Sequence, residues 1–268
     1  MRVPLISSKN NDQIKWLKKL RQRKFRDQEN AYYVEGVRLT EEAVRSGLVT
    51  RLYFTSRLLT SERGERLFKQ AQAHNVSIVE CTESVFLEIA DTVNTQGVLA
   101  VVKKQGWPLT LEGLLVVADE IQDPGNMGTL CRTAAAAGAS GIIVTTGSVD
   151  PYNPKAVRSS MGGIFHLPVW LIDAAEAVQA LQKNNVPIVA ADLEQAVDYF
   201  SVAFPETMAL VIGNEARGVS ELMRANAQMR VKIPLLGAVE SLNASVAAGM
   251  LLSEIVRQRW KDEMYAHS

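Results

Sequence analysis

Two α/β domains in one chain are what this sequence predicts, and three observations carry the prediction. Residues 31–104 alternate short apolar runs with helical patterns. After residue 113 come four runs that are apolar on both faces and end in polar residues or glycine, as in a parallel sheet covered by helices. Between the two stretches, "KKQGWPLTLEG" mixes charge, Gly and Pro as a linker does. The expected boundaries are an α/β domain over 1–105, a linker over 106–113 and a parallel-sheet domain over 114–268, and a chain of 268 residues is long enough for both.

The elements of the first domain follow from local pattern. Ile14, Trp16, Leu17 and Leu20 recur at helical spacing among lysines and arginines, which predicts one basic helix from Asp12 to Arg26. "AYYVEG" (31–36) is a strand, and "VRLTEEAVRSG" a helix stopped by Gly47. "RLYFTS" and "VSIVEC" are strands flanking a charged helix over 61–74, and "GVLAVVKK" (97–104) is the last strand. In the second domain the four runs are "LLVVAD" (114–119), "GIIVTTG" (141–147), "VPIVAAD" (186–192) and "MALVIGNE" (208–215). Ligands of parallel sheets bind beyond the C-terminal strand ends, so the chemistry is expected in the residues that follow each run.

Composition narrows the class. Apolar residues make up 47% and charged residues 22%, as in a globular protein with a real core. No apolar run reaches the ~18 residues of a membrane span, and "MRVPLISSKNND" has neither an apolar leader core nor a cleavage site. Cys81 and Cys131 are too few for a disulfide framework or a zinc site, so a cytoplasmic protein without a metal is expected. Net charge is zero but uneven: residues 1–30, Arg2 among them, hold nine Lys/Arg against three acids. Lys15, Lys18, Lys19, Arg21, Arg23, Lys24 and Arg26, with Arg38 beyond them, are candidate contacts to a polyanion; a solvated helix face is the other reading of such a run. Trp16, Phe25, Tyr32 and Tyr33 are aromatic neighbours that either stack on bases or fill the core.

Three segments carry candidate chemistry. In "DPGNMGTLCRTAAAAG" (123–138), Pro124 and Gly125 turn the chain, Asn126 is the expected N-cap, and Arg132 stands alone among small residues. That arginine either snorkels over the alanine surface or aims its fork at phosphate or carboxylate. In "IGNEARGVS" (212–220) the spacing is not G-x-G-x-x-G, and no Gly-Lys-Ser/Thr follows, so a P-loop is excluded. Glu215 is a carboxylate at a strand end beside Gly213 and Gly218. In "IPLLGAVESLNASVAAG" (233–249), Ser241, Leu242 and Asn243 make a polar–apolar–polar step before a helix. Ser159, Ser160, Gly162 and Gly163 read as close packing of a helix on the sheet. His74, His166 and His267 are too scattered for a triad or a metal cluster.

In this order and spacing, the three segments resemble the motifs of the SpoU (TrmH-type) RNA ribose 2′-O-methyltransferases, members of the SPOUT class. "LISSKNNDQIKWLKKLRQRKFRDQENAYYVEG" and "NTQGVLAVV" are similar to that family's accessory substrate-binding domain, itself like certain small ribosomal proteins, so the resemblance spans nearly the whole chain. Asn94 departs from the proline of many relatives, outside the catalytic domain. The resemblance implies a trefoil knot in the C-terminal domain, a homodimer and S-adenosylmethionine as methyl donor. Carried over by motif, the catalytic set is Asn126, Arg132, Glu215, Ser241 and Asn243. The cofactor positions are Gly213, Ile233 and Leu242, with Thr145 and Gly147 nearby. It implies RNA as substrate, ribosomal RNA ahead of transfer RNA. A non-catalytic RNA-binding assembly factor of the same fold is a competing reading. A Rossmann-type oxidoreductase is disfavoured by the missing G-x-G-x-x-G.

Overall fold

The structure, a computed structural model, describes residues 3–266, with side chains described through Trp260. Arg2 and His267 lie outside the described residues. The chain forms two compact units. The first runs to Gly106 and contains β1 (Leu5–Ile6), α1 (Asp12–Lys19), α2 (Arg23–Glu29), β2 (Ala31–Glu35), α3 (Val37–Arg45), β3 (Val49–Phe54), α4 (Glu62–Ala73), β4 (Ser77–Cys81), α5 (Glu83–Phe86) and β5 (Val98–Lys103). Its sheet has the order β1-β4-β3-β5-β2, with β5 antiparallel to both neighbours.

The single basic helix expected over 12–26 is two helices. α1 stops at Lys19, and α2 ends at Asn30, which takes the left-handed conformation at φ 48°. Arg26 supplies the physical reason for the break. Its side chain is 2% exposed, and Nη1 donates to the carbonyls of Leu20 and Arg21, each at 2.8 Å. A buried guanidinium thus satisfies carbonyls just past the end of α1, where a cation also suits the helix dipole. Ile14, Leu17 and Leu20 meanwhile bury the apolar stripe of α1 in the same core as Tyr33 and Tyr53.

The second unit comprises Trp107–Pro151 and the chain from His166 onward. In chain order its first elements are β6 (Leu114–Ala118), α6 (Pro124–Ala136) and β7 (Gly141–Thr145). The segment Tyr152–Phe165, with α7 (Pro154–Ser159), groups with the first unit instead. There Tyr152 stacks on Tyr32 at 4.9 Å between centroids, the Lys104 ammonium sits 4.8 Å from the Tyr152 ring centre, and Arg158 approaches Asp91 at 3.6 Å. Ser159 and Ser160 therefore pack in the first unit rather than against the parallel sheet.

After that segment come β8 (Val169–Ile172), α8 (Ala174–Lys183), β9 (Ile188–Ala191), β10 (Val197–Asp198), β11 (Met208–Ile212), α9 (Glu221–Ala225), β12 (Met229–Lys232) and α10 (Ala244–Ala266). Every pairing in the seven-stranded sheet, ordered β10-β12-β9-β11-β6-β7-β8, is parallel. The four apolar runs form β6, β7, β9 and β11, whose residues are almost wholly buried. β10 and β12 escape the sequence pattern because few of their residues are apolar and buried: in "MRVK" only Val231 is. β8, "VWLI", is apolar throughout, but only Val169 and Trp170 are buried. With all strands parallel, the loops after β6, β9, β11 and β12 leave the same edge of the sheet.

Candidate active site

The loop after β6 is held by a buried acid. Asp119 is fully buried; its Oδ2 accepts from the Ser220 N–H at 2.7 Å and its Oδ1 from the Thr145 hydroxyl at 3.4 Å. Burial pushes this carboxyl above its ordinary value, with the Ser220 bonds opposing the shift. Glu120 follows in the left-handed region at φ 56°, uncommon for a residue other than glycine, and its N–H donates to the same Thr145 hydroxyl at 3.1 Å. Thr145 is therefore a buried brace between β6 and β7. Gly147, at φ 95°, offers its carbonyl to Gln122 Nε2 at 2.5 Å. Both positions support the loop and neither lines the cleft described below.

α6 opens differently from the sequence expectation. Asp123, not Asn126, is the N-cap: its carboxylate accepts from the Asn126 N–H at 2.9 Å and Pro124 begins the helix. Asn126 lies in the first turn, and that frees its side chain. Its Nδ2 donates to Glu215 Oε1 at 2.9 Å, while its Oδ1 accepts from Asn243 Nδ2 at 2.9 Å. Glu215 also accepts from the N–H groups of Gln122 and Asp123, each at 3.1 Å. Burial raises the Glu215 carboxyl, but these donors outweigh it and hold the group below its ordinary value, so it is an anion at neutral pH. Asn243 in turn caps α10, its Oδ1 accepting from Ser245 N–H at 3.0 Å and Ser245 Oγ at 2.7 Å. Three segments distant in sequence thus meet on Asn126.

The loop after β11 owes its shape to glycine. A Cβ on Gly213 would lie 2.2 Å from the Gly218 carbonyl carbon and the Val219 nitrogen, so no larger residue fits. Asn214 closes the loop: its Nδ2 reaches the Glu120 carbonyl at 2.8 Å, and its Oδ1 accepts from the N–H groups of Ala216 and Arg217. Arg217, not singled out from the sequence, pairs with Glu120 at 2.7 Å. Its place inside "GNEARG" beside Glu215 was the available signal. Ser245 was missed too, two residues past Asn243.

Beside these loops lies a cleft of about 350 Å³. Gly213, Glu215, Ile233, Ser241 and Leu242 line it, with Ile212, Leu235 and Leu251 adding apolar wall. Arg132 is not among the lining residues. It is exposed on α6, six residues beyond Asn126, and among the described residues no hydrogen bond or ion pair holds it. Asn126 and Glu215 bond each other, and neither is hydrogen-bonded to Arg132 among the described residues.

On the first unit, the candidate polyanion contacts divide. Lys18 pairs with Glu88 at 2.6 Å and Arg21 with Asp91 at 3.2 Å. Lys15 lies 3.5 Å from Asp12 and Arg23 3.8 Å from Asp27. Lys19 sits 5.6 Å from the Phe25 ring centre, and Lys24 and Arg38 are exposed. Arg26 is corrected: buried and committed to backbone carbonyls, it is a structural residue. Tyr32 and Tyr33 are core residues, 2% and 3% exposed, and burial raises both phenols above their ordinary value.

Residues 113–253 match the SpoU rRNA Methylase family. The chain belongs to that family. Residues 11–100 match the MRM3-like substrate binding domain, which accounts for the first unit. Among its relatives, the 23S rRNA (guanosine(2553)-2'-O)-methyltransferase RlmP of Bacillus subtilis is 31% identical over 92% of this chain and 97% of its own length. The 23S rRNA (uridine(2479)-2'-O)-methyltransferase of Streptomyces viridochromogenes is 31% identical over 95% of this chain and 92% of its own. The crystal structure of an AdoMet-bound rRNA methyltransferase from Sinorhizobium meliloti superposes with a TM-score of 0.84 at 30% identity, covering 95% of this chain and 98% of that one. The SpoU methylase part is the parallel-sheet unit with the cleft. No helix among the described residues is long and apolar enough to cross a membrane.

Proposed function

We propose that this protein transfers the methyl group of S-adenosylmethionine to a ribose 2′-hydroxyl of ribosomal RNA. The observation that carries the proposal is the meeting of all three motif segments on Asn126, next to a cleft of small-molecule size. The residues present suit the cofactor. Ile212, Ile233, Leu235 and Leu242 offer apolar contact for an adenine ring. Among the described residues, the backbone N–H groups of the cleft-lining Leu235, Ser241 and Leu242 donate to no backbone carbonyl, which leaves them for a ligand's acceptors. When bound, the cofactor supplies an electrophilic methyl on a positive sulfur. Glu215 and Glu194, which also line the cleft, provide negative charge near such a cation.

The chain's own residues do the positioning, the main source of rate in an in-line displacement. Asn126, Glu215 and Asn243 fix the loops that border the cleft. Arg132, without a partner among the described residues, takes the phosphate beside the target ribose and lowers the pKa of the hydroxyl through its charge. A guanidinium offers N–H donors and no acceptor for a proton, which disfavours it as the base. Ribosomal RNA is favoured because relatives named for 23S rRNA match over nearly their full length. A second copy of the chain belongs to this proposal: fully exposed Leu236, with Val239, Val246 and Met250, leaves apolar surface around the site for it to cover. So do the trefoil knot that the resemblance implies and a cytoplasmic location.

The test incubates the protein with ribosomal RNA from cells lacking it and methyl-labelled S-adenosylmethionine. Label is expected at one alkali-resistant ribose 2′-O position. Label on a base, or no label on ribosomal RNA, would overturn the proposal.

A further inference from the structure

In the first unit, α1 and β3 border a cleft of about 370 Å³ lined by Asp12, Gln13, Trp16, Thr50, Arg51 and Val101. A bulge shapes it. Along the β3–β5 pairing, Val49 stands opposite Val102 and Arg51 opposite Val101, so Thr50 is an extra residue, and its hydroxyl donates to the Val101 carbonyl at 3.3 Å. Bulges of this kind bend a strand and re-aim the side chain beside them, and they concentrate next to binding sites. Here the re-aimed residue is Arg51.

Arg51 is half-buried, yet no carboxylate pairs with it among the described residues. Its Nη1 donates to Gln13 Oε1 at 3.1 Å and to the Tyr53 hydroxyl at 3.2 Å, and that hydroxyl donates to the same Gln13 oxygen at 3.0 Å. All these partners are neutral. Several other cations of this unit are paired: Lys9 and Lys18 share Glu88, Arg21 has Asp91, Lys104 has Asp27 and Arg63 has Glu41. Asp12, the one acid in the cleft, lies by Lys15. A partly desolvated guanidinium held only by dipoles keeps its charge available to an anion from outside. Because Gln13 spends its oxygen on Arg51 and Tyr53, its amide N–H groups remain as further donors.

The opposite wall is a fixed aromatic plane. The Trp16 indole N–H donates to Glu29 Oε2 at 2.9 Å, and the ring packs edge-to-face on Phe25 at 6.1 Å and 71°. A ring anchored at its edge loses no freedom when a base stacks on its face. The geometry points to a subsite for one unpaired RNA nucleotide, its base stacked on Trp16 and its phosphate or carbonyl oxygens taken by Arg51 and Gln13. This subsite rests on the reading that the chain acts on RNA. It singles out the residues that select a single-stranded segment of the substrate.

The test measures binding of a fluorescently labelled eight-nucleotide oligouridylate to the full chain by anisotropy over a salt series. Trp16→Ala is expected to weaken binding about 5- to 150-fold, the range of one base–aromatic stack, and Trp16→Phe to keep most of the affinity. Arg51→Gln is expected to weaken binding and to flatten the salt slope by about 0.7, one phosphate contact on a single strand. Circular dichroism on each variant checks that the α1–α2 region stays folded, and Trp16→Phe supplies a folded comparison if the alanine variant does not. Wild-type affinity and slope in both Trp16→Ala and Arg51→Gln would overturn the subsite. The same proteins are assayed for methyl transfer to ribosomal RNA. Methylation by wild type, with both variants binding like wild type, would sink the subsite and leave the proposed activity standing. Binding that depends on Trp16 and Arg51, with no methylation by wild type, would do the reverse.

Discussion

Replacing Asn126 by Asp removes one proton donor and adds one charge, at the point where the three motif segments meet. In the native fold Nδ2 donates to the Glu215 carboxylate at 2.9 Å. A hydrogen bond to a charged group contributes about 1.5–3 kcal/mol, and partial exposure here cuts that to about 1 kcal/mol. In the variant a second carboxylate would face Glu215 at nearly the same distance. Two like charges about 4 Å apart repel by about 1 kcal/mol in water and about 4 kcal/mol near a protein surface. The combined cost is about 2–5 kcal/mol when both are ionised, which lowers Tm by about 2–4 °C per kcal/mol in a domain of this size. The sign with pH follows. Native Glu215 has a depressed pKa, so its contribution to stability is present above the unfolded value of 4.5 and is lost as pH falls. In Asn126→Asp the pair shares a proton and its upper pKa rises above the unfolded value. The variant is therefore nearest to wild type at low pH and loses stability as pH rises through that raised pKa. Asn126→Ala removes the hydrogen bonds without adding charge and should show no such trend between pH 5 and 8. Thermal melts and S-adenosylmethionine calorimetry on both variants at pH 5, 6.5 and 8 make the measurement. If the two variants melt alike at pH 8, the Asn126–Glu215 contact does not organise the site.

Further outcomes follow from the same geometry. Arg132→Ala should abolish methylation while S-adenosylmethionine affinity stays within about threefold, since Arg132 does not line the cleft; turnover like wild type sinks its role. Gly213→Ala should abolish cofactor binding and cost about 1–3 kcal/mol, read by calorimetry and denaturant melts, because its Cβ meets backbone at 2.2 Å. Neutralising Lys15, Lys24 and Arg38 together to Gln should reduce the salt slope of RNA binding by up to about 2–3; an unchanged slope moves the RNA surface elsewhere. Truncating residues 1–30 is a poorer test of the same surface, because Ile14, Leu17 and Leu20 would leave the core with the charges.

The parallel sheet was legible because β6, β7, β9 and β11 are buried on both faces and so carry no polar interruption. β12 was not, since Met229, Arg230 and Lys232 remain partly exposed and only Val231 enters the core. Asn126 and Glu215 could be named as site residues from their motifs, but not as each other's partner. That contact spans 89 positions and exists only once Asp123 has taken over the cap. Arg26 shows the opposite failure. Charge counting assigns it to solvent, whereas the break between α1 and α2 creates carbonyls that only a long cation in reach can satisfy. Nothing in a helical period marks that break.

The site's charges separate into two kinds, and the separation bears on how it works. Glu215, Glu120 and Asp119 are each tied to donors supplied by neighbouring loops, so they define the loops' shape before any ligand arrives. Arg132 is tied to no partner among the described residues and sits on a helix whose small residues, Gly128 and Ala134, pack it closely into the core. A rigid base under a free guanidinium lets the cation swing only within the radius of its own side chain. Were Glu215 paired with Arg132, an incoming phosphate would have to displace a carboxylate first. Satisfying Glu215 with Asn126 and backbone N–H groups instead removes that competition and leaves the full charge of Arg132 for the substrate. On this logic Asn126→Ala releases Glu215 to compete for Arg132. It should raise the KM for RNA more than it lowers kcat, whereas Arg132→Ala, which in the proposed mechanism removes charge at the reacting hydroxyl, should fall chiefly on kcat. A steady-state comparison of the two variants separates these effects, and an Asn126→Ala defect confined to kcat would refute the division of labour.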